Sequence, residues 1–275
     1  MRLGVTVFAT DVSMPIADLA RAAEERGFSS LYVPEHTHIP VSRRTPPAAG
    51  QVELPEEYRR TLDPLVALSF AAAATERIGI GTGILLAAQR EPLVTAKAIA
   101  TLDHLSGGRF VLGVGFGWNV EEIEDHGVPY ARRREVAREH VLAMKALWSQ
   151  DVAGYEGRHV RFEPSWSWPK PHRPGGPPVY LGGAAGPKLF AHIAEYADGW
   201  MPIGGRGVKA ALPALREACE KAGRPMASVI PFGTVPSREK LDYYAGLGIE
   251  ETVLQLPSAN ADIILTSLDN YTRYL

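Results

Sequence analysis

Short apolar runs alternate with amphipathic stretches along the whole chain. The apolar runs are rich in β-branched residues, which is typical of parallel strands buried on both faces. The predicted strands are Leu3–Phe8, Ser30–Val33, Ile78–Leu85, Arg109–Val114, Pro178–Gly182, Gly199–Pro202, Val229–Thr234 and Thr252–Leu256. Because a helical pattern follows each run and the runs number about eight, the spacing predicts an α/β fold of the (β/α)8 TIM-barrel type.

Signals for helix ends support this alternation. Apolar residues recur at helical spacing after Pro15, and Gly27 ends that stretch. Asp63-Pro64 and Glu91-Pro92 each place an acidic N-cap before a proline at the first helical position. The last helix is predicted from about Ala261 to Tyr274. The chain has 275 residues, which suits one barrel domain over 1–275.

Two insertions interrupt this rhythm, at about 36–60 and 151–176. The first follows a strand, so we expect it at the C-terminal face of the barrel, and long loops there are usually functional. It contains Pro40, Pro46, Pro47 and Pro55. The second begins with a predicted hairpin at Tyr155–Val160 and continues through Trp166 and Trp168 as an excursion over the surface. We expect both insertions to shape a substrate pocket at the C-terminal face.

Composition and charge reduce the number of functions that the chain could have. The chain has 29 basic and 31 acidic residues without a long basic stripe, so no nucleic-acid partner is expected. The run Arg132–Arg134 is interpreted as a solvated helix start, with a docking patch for an acidic ligand as the alternative. Cys219 is the only cysteine, which excludes a disulfide framework. No signal peptide or membrane-length apolar run is present, and the expected location is cytoplasmic.

The end of the second strand carries the most reactive side chains. Glu35 and His36 follow Val33-Pro34 at the expected barrel mouth, where histidine can exchange a proton near neutral pH. The alternative is that Glu35 and His36 only hold the loop that follows them in place. His36 and His38 also allow a metal-dependent hydrolase, but the ends of later strands offer no further ligands, so no metal is predicted.

Glycines cluster at three neighbouring strand ends. They lie around Gly79–Gly83, Gly113–Gly117 and Gly182–Gly186, and glycine in a strand often marks the close approach of a ligand. We therefore predict a large flat ligand across the mouth; the alternative is that the glycines only relieve crowding inside the barrel. The turns lack a Rossmann fingerprint, a P-loop and a Gly-x-Ser-x-Gly elbow.

The ordered motifs resemble the bacterial luciferase-like superfamily, and most closely its actinobacterial deazaflavin-dependent oxidoreductases. The resemblance covers most of the chain. Its marks are Ala23–Phe28, Leu31–His36, Asp63-Pro64, Ala74–Gly79, Gly81–Leu85, Ala100–Arg109, Gly113–Trp118, Gly182-Gly183 and Ala197–Trp200. Glu35 departs from the pattern, because relatives often carry aspartate before the histidine.

The resemblance implies that coenzyme F420, or alternatively FMN, lies across the barrel mouth. It implies catalytic roles for His36 and Glu35 near the reactive ring carbon, and a non-proline cis peptide at Gly83-Ile84. The cofactor-binding positions that it implies are Gly83, Ile84, Phe116, Gly117, Trp118, Asn119, Glu122, Gly182, Gly183 and Ala184. Gly182, Gly183 and Ala184 would contact the phosphate side of the cofactor. The resemblance also implies a homodimer.

Four functions remain open at this point. The preferred one is hydride transfer between F420 and a small organic substrate, with the barrel supplying orientation and electrostatics. The others are an FMN-dependent monooxygenase that uses oxygen, a metal-dependent hydrolase, and a cofactor-free binding protein on a barrel scaffold. Loops vary freely on this fold, so the sequence does not name the substrate.

Overall fold

The computed structural model describes residues 1–46 and 53–275. Eight parallel strands form a nearly closed barrel with helices around it, which confirms the predicted (β/α)8 fold. A separate antiparallel hairpin adds two strands. The ten strands are β1 (Arg2–Thr6), β2 (Ser30–Val33), β3 (Gly79–Thr82), β4 (Phe110–Val114), β5 (Ala153–Glu156), β6 (Arg161–Ser165), β7 (Val179–Gly182), β8 (Gly199–Met201), β9 (Ser228–Val229) and β10 (Glu251–Gln255).

The barrel closes at a seam between its last two strands. The strand order is β10-β1-β2-β3-β4-β7-β8-β9, and a bridge between Thr234 and Leu254 joins the two ends. The seventh barrel strand is shorter than the predicted Val229–Thr234. Pro231 lacks an N–H, and Gly233 has a φ of +65°, so regular pairing stops before them.

Nine helices cover the described part of the barrel. They are α1 (Ile16–Glu25), α2 (Pro64–Ala73), α3 (Pro92–Leu105), α4 (Val120–Asp125), α5 (Arg133–Ser149), α6 (Pro187–Tyr196), α7 (Val208–Lys221), α8 (Arg238–Gly246) and α9 (Ala261–Thr272). The predicted caps are confirmed, because Asp63 and Glu91 each accept hydrogen bonds from two amides of the first turn. The last helix ends at Thr272, slightly before the predicted Tyr274.

Two apolar layers hold the barrel together. Inside the barrel, Tyr32, Met201, Phe232 and Val253 pack with one another. Outside it, the buried faces of the helices pack on the strands in one continuous core. Cys219 is buried on α7. Across residues 1–46 and 53–275, none of the helices is long and apolar enough to cross a membrane.

The two insertions lie at different places. The first follows β2 at the C-terminal face and contains a 3-10 turn at Glu56–Arg59; Pro47 lies outside the described residues. The second connects the end of α5 to the start of β7, so both of its ends lie at the N-terminal face. Its predicted hairpin is confirmed as β5–β6, and Glu139 of α5 accepts hydrogen bonds from three amides of the hairpin turn.

The tryptophan segment of the second insertion packs against two outer helices, and its expected role in the pocket stays a prediction. The backbone carbonyl of Trp168 accepts a hydrogen bond from Lys97 on the outer side of α3. Lys170 donates to the carbonyls of Leu147 and Gln150 at the C-terminal end of α5. These contacts hold the tryptophan segment against the outer helices of the barrel.

Candidate active site

His36 and Glu122 form a buried pair at the barrel mouth. His36 follows β2, Glu122 lies in α4 after β4, and His36 Nδ1 is 2.8 Å from Glu122 Oε2. The two side chains are only 7% and 1% exposed. When Nδ1 carries the proton it donates to the carboxylate, and this contact leaves Nε2 as the ring nitrogen that can face a ligand.

Glu35 points away from this pair. Its Oε2 accepts a hydrogen bond of 2.6 Å from the Leu86 amide, and its Oε1 accepts one of 2.6 Å from Arg90 Nε. Arg90 Nη2 also lies 2.5 Å from Asp63 Oδ2. Burial raises the pKa of Glu35, while the Arg90 charge opposes that rise. Because both oxygens are engaged within the protein, the geometry favours a positioning role for Glu35 over the predicted catalytic one.

Two aromatic rings surround His36. The ring centroid of Tyr58 is 5.2 Å from that of His36, and the centroid of Trp118 is 5.9 Å from it. Tyr58 comes from the 3-10 turn in the first insertion, so this loop contributes to the mouth as expected. Tyr58 was not singled out from the sequence, although its place in the loop that follows His36 is the signal that could have found it.

Ile84 explains several of the glycines at the mouth. A Cβ on Gly115 would lie 2.0 Å from Ile84 Cδ1, and one on Gly182 would lie 3.0 Å from Ile84 Cγ2. A Cβ on Gly83 would meet the Phe232 ring at 2.1 Å. Gly83, Gly115 and Gly182 therefore accommodate protein side chains, as the crowding alternative stated. That the glycine-rich turns also make room for a ligand stays a prediction.

Ile84 itself remains available to a ligand. The Gly83-Ile84 peptide is cis, as the resemblance implied. The Ile84 side chain is half-buried and lies between the ends of β4 and β7. A large apolar side chain that is only half-covered at a barrel mouth offers a surface on which a flat ring could pack.

Two buried polar atoms without partners lie at the start of α4, which follows β4. Asn119 is fully buried, and its Oδ1 caps α4 by accepting a hydrogen bond from the Glu122 amide. Within the described residues, Asn119 Nδ2 and Glu122 Oε1 are buried without a hydrogen-bond partner. Buried polar groups are rarely left unpaired, so these two atoms fit the polar edge of a bound cofactor. Gly117 precedes them with a φ of +73°, and Phe116 is buried.

The loop after β7 offers a different kind of contact. Gly182 and Gly183 are half-buried and Ala184 is exposed, shortly before α6 begins at Pro187. The Gly183 carbonyl accepts a hydrogen bond of 2.9 Å from Trp200 Nε1, which fixes the loop. Backbone amides before a helix favour anionic groups, so this loop fits the phosphate side of the expected cofactor.

The histidines considered for a metal site have separate partners. His38 Nε2 is 3.0 Å from Asp125 Oδ2, and Thr37 Oγ1 is within hydrogen-bond distance of His38 and His126. His36 instead contacts Glu122. Within the part of the chain that the structure describes, no group of three or more histidine, cysteine, aspartate or glutamate side chains could hold a metal ion.

The decisive comparison covers most of the chain. A model of the luciferase-like monooxygenase family matches residues 8–240. The chain belongs to this family. Within the luciferase-like family, an uncharacterized protein of Mycobacterium tuberculosis is 45% identical over 267 residues, which cover 95% of this chain and 94% of that protein.

Another luciferase-like relative has a named activity. The F420-dependent glucose-6-phosphate dehydrogenase of Kineococcus radiotolerans is 32% identical over 219 residues, which cover 76% of this chain and 59% of that enzyme. Two solved structures share the fold. Monooxygenase RslO1 from Streptomyces bottropensis has a TM-score of 0.82 at 19% identity, and an F420-dependent secondary alcohol dehydrogenase has 0.77 at 18%; each match covers 100% of this chain and 98% of the other. This luciferase-like chain is accordingly an oxidoreductase.

Proposed function

We propose that this protein transfers a hydride between coenzyme F420 and a small organic substrate that carries a hydroxyl or carbonyl group. The observation that carries the proposal is the buried His36–Glu122 pair at the barrel mouth, which also holds the half-buried Ile84 side chain. The relative from Kineococcus radiotolerans, whose name states both F420 and a dehydrogenase activity, supports the choice of cofactor.

Residues from three strand ends would hold the cofactor. Ile84 would support the ring, and Asn119 Nδ2 would donate to one of its polar edges. The amides of Gly182, Gly183 and Ala184 would face its phosphate side. Bound F420 would supply or accept the hydride. Gly83, Phe116, Gly117 and Trp118 would complete the surroundings of the ring.

His36 would handle the proton that accompanies the hydride. Oxidation of an alcohol breaks one C–H bond, whose hydrogen leaves with both electrons, and one O–H bond, whose proton must be accepted by a base. His36 Nε2 is suited to accept it, because Nδ1 is held by Glu122. In the reverse direction His36 would return the proton to the carbonyl oxygen. Tyr58 and Trp118 would limit the access of water to this proton transfer.

Cofactor titration tests the proposal. We expect the purified protein to quench or shift the fluorescence of F420 on binding, and to bind FMN at least tenfold more weakly, on the order of 1.4 kcal/mol. Tight binding of FMN without F420 binding would identify the FMN-dependent monooxygenase instead. Binding of neither compound would favour a cofactor-free binding protein, and stoichiometric zinc would favour the hydrolase.

We also propose that the protein forms a homodimer through α2 and α3. These helices are neighbours, and their outer surface carries Val66, Phe70 and Val94 with exposures of 60%, 64% and 70%. Helix α2 is apolar on nearly all sides, although only one side can face the barrel. A helix that is apolar all round is normally buried, so a second copy of the chain is the proposed cover.

A further inference from the structure

A cleft lies between the start of α3 and the first half of α5. Its volume of about 390 Å³ is within the range of pockets that hold small molecules. The lining comes from Ala88–Pro92, from the loop 126–129 after α4, from Val136 and His140 of α5, and from His159 in the β5–β6 turn. In residues 1–46 and 53–275, the cleft shares no lining residue with the proposed cofactor site. A ligand here would therefore occupy a different place from the cofactor.

Gln89 is a buried lining residue whose side chain has no partner. It is 8% exposed, and within the described chain neither its Oε1 nor its Nε2 has a hydrogen-bond partner. A buried amide without partners costs free energy, and such groups are rare in folded proteins. A leucine of similar size would avoid this cost, so packing alone does not explain a glutamine at this position. Its adjacent acceptor and donor fit a ligand that carries the complementary pair.

Two histidines add further polar atoms to the lining. His140 is 8% exposed, and its Nδ1 donates to the Ala87 carbonyl at 2.8 Å. Burial lowers the pKa of His140, so its ring is neutral at neutral pH and Nε2 can accept a hydrogen bond. His159 Nε2 is buried without a hydrogen-bond partner among the described residues, 3.6 Å from Glu135 Oε2. An amide and two imidazole rings are therefore available to a ligand.

The charged side chains of the cleft are already engaged. Arg90 pairs with Glu35 and Asp63. Glu91 accepts hydrogen bonds from two amides in the first turn of α3. An ionised ligand would find neither charge free, so the loss of its hydration would not be compensated. The cleft therefore fits an uncharged ligand.

We propose that this cleft binds an uncharged planar compound with a hydrogen-bond donor beside an acceptor, as in a primary carboxamide or the edge of a nucleobase. Gln89 would form two hydrogen bonds to that edge, as glutamine does with adenine. His140 Nε2 would accept from a second donor of the ligand. The site goes beyond the proposed hydride transfer, because these contacts involve neither the cofactor nor the substrate of that reaction.

The test uses the full chain without added cofactor. The probes are adenine and nicotinamide. The control compounds are nicotinate, which is charged, and methyl nicotinate, which lacks the N–H donor. Gln89→Leu removes both polar atoms and nearly keeps the size of the side chain. Gln150→Leu is the matched control, because Gln150 is exposed at the end of α5.

Isothermal titration calorimetry measures the affinities. We expect the wild type to bind at least one of the two probes with a Kd of about 1 mM or lower. Nicotinate and methyl nicotinate should bind about tenfold more weakly than nicotinamide. Gln89→Leu should weaken probe binding about tenfold or more, and Gln150→Leu should leave it within about twofold. The ring resonances of His140 and His159 should shift in NMR spectra when the probe is added.

Thermal unfolding without a probe separates binding from a structural role. Gln89→Leu should be at least as stable as the wild type, because it removes an unpaired buried amide. A clear loss of stability would show that Gln89 is satisfied within the protein and would overturn the proposal.

Two binding results would also overturn it. If neither probe binds, water alone satisfies Gln89. If Gln89→Leu binds the probes as well as the wild type does, the binding occurs elsewhere. Binding of adenine alone would identify a nucleobase site, and binding of nicotinamide alone a carboxamide site. None of these measurements uses F420, so failure here leaves the proposed hydride transfer unaffected.

Discussion

Arg90 joins two carboxylates that belong to different elements. It contacts Glu35 after β2 and Asp63, which also caps α2. Glu35 in turn accepts a hydrogen bond from the Leu86 amide in the loop that begins at Ile84. This network therefore ties together the backbone after β2, the loop after β3 and the start of α2.

Removing Arg90 should leave a buried charge without a partner. We expect Arg90→Met to lower the free energy of unfolding by about 3–5 kcal/mol at neutral pH. Burial already raises the pKa of Glu35, so the carboxyl is stabilised in its protonated form, and loss of Arg90 raises that pKa further. The destabilisation should therefore be largest above the pKa of Glu35 in the folded variant and should shrink as the pH falls through it.

Urea unfolding at several pH values measures this effect. Glu35→Gln removes the charge with little change of shape, so Arg90→Met should cost clearly less in that background than in the wild type. An equal cost in both backgrounds, at every pH, would show that the ion pair is not the cause.

Substitutions in the His36–Glu122 pair should separate proton transfer from positioning. We expect His36→Gln to lower kcat by about 100-fold to 10,000-fold, as for the loss of a general acid or base, with little change in cofactor affinity. Glu122→Gln keeps an oxygen that can accept from His36 Nδ1 but loses the charge, so a fall in kcat of about tenfold is expected.

Steady-state kinetics and cofactor titration on the same preparations check this prediction. Tyr271→Phe is a suitable control, because its hydroxyl donates to the Gln255 carbonyl at another strand end. If His36→Gln keeps kcat within threefold of the wild type, His36 does not exchange the proton.

The residues of the site could be predicted from the sequence more completely than the contacts between them. Glu35 and His36 could be found because they follow a barrel strand, whereas Asn119 and Glu122 were implied only by the family resemblance. Their pairing could not be predicted, because the partners of Glu35 and His36 lie 55 and 86 positions away in the chain. Arg90 was missed for the same reason, whereas Tyr58 was missed although it lies in the loop that follows His36.

At the scale of elements, the ends of β4 and β7 leave room for the Ile84 side chain, which follows β3. Ile84 follows β3, and Gly115 and Gly182 follow or end the two neighbouring strands β4 and β7. Any side chain at Gly115 must displace Ile84 from the surface it offers at the mouth. The packing of these strand ends thus sets where a ligand ring could lie.

Gly115→Ala should disturb the mouth more than the addition of a single methyl group suggests. The added Cβ would lie 2.0 Å from Ile84 Cδ1, so we expect a loss of about 1–3 kcal/mol in unfolding free energy and weaker cofactor binding. Ile84→Ala removes the clashing atoms and should recover part of the stability of Gly115→Ala. Differential scanning calorimetry and fluorescence titration measure the two effects.

Gly186→Ala is the matched control for this experiment. Nothing lies within 4 Å of a Cβ at Gly186, and its φ of 169° is extended backbone that alanine adopts. It should change stability by only a few tenths of a kcal/mol, or about 1 kcal/mol at most. Equal effects of the two substitutions would contradict the role assigned to Ile84.

Strand and helix boundaries show where the local sequence was sufficient to predict the structure. Asp63-Pro64 and Glu91-Pro92 marked helix starts that the structure confirms, because both devices act within one turn. The strand predicted through Pro231 was too long, since the missing N–H of proline outweighs an apolar pattern. The contacts of the tryptophan segment could not be predicted, because its pattern does not reveal which helices it packs against.

At the scale of the whole molecule, the apolar surface of α2 and α3 predicts the oligomeric state. We expect a dimer in solution, and we expect Phe70→Glu to raise its dissociation constant by about 30-fold or more, as for a central interface residue. Sedimentation velocity over a range of protein concentrations measures the change. Ile263→Glu, on the outer side of α9 and 52% exposed in the wild type, should leave the dimer intact. A wild-type monomer at all concentrations would contradict the proposed interface.

The two insertions can also vary independently of each other during evolution. One follows β2 and brings Tyr58 to the mouth, whereas the other joins α5 to β7 and ends at the opposite face. Because no strand or helix is shared between them, mutations that alter the first insertion can diversify substrate choice while the second stays constant. Descendants of one ancestral barrel could in this way exchange substrates without remodelling their outer surface.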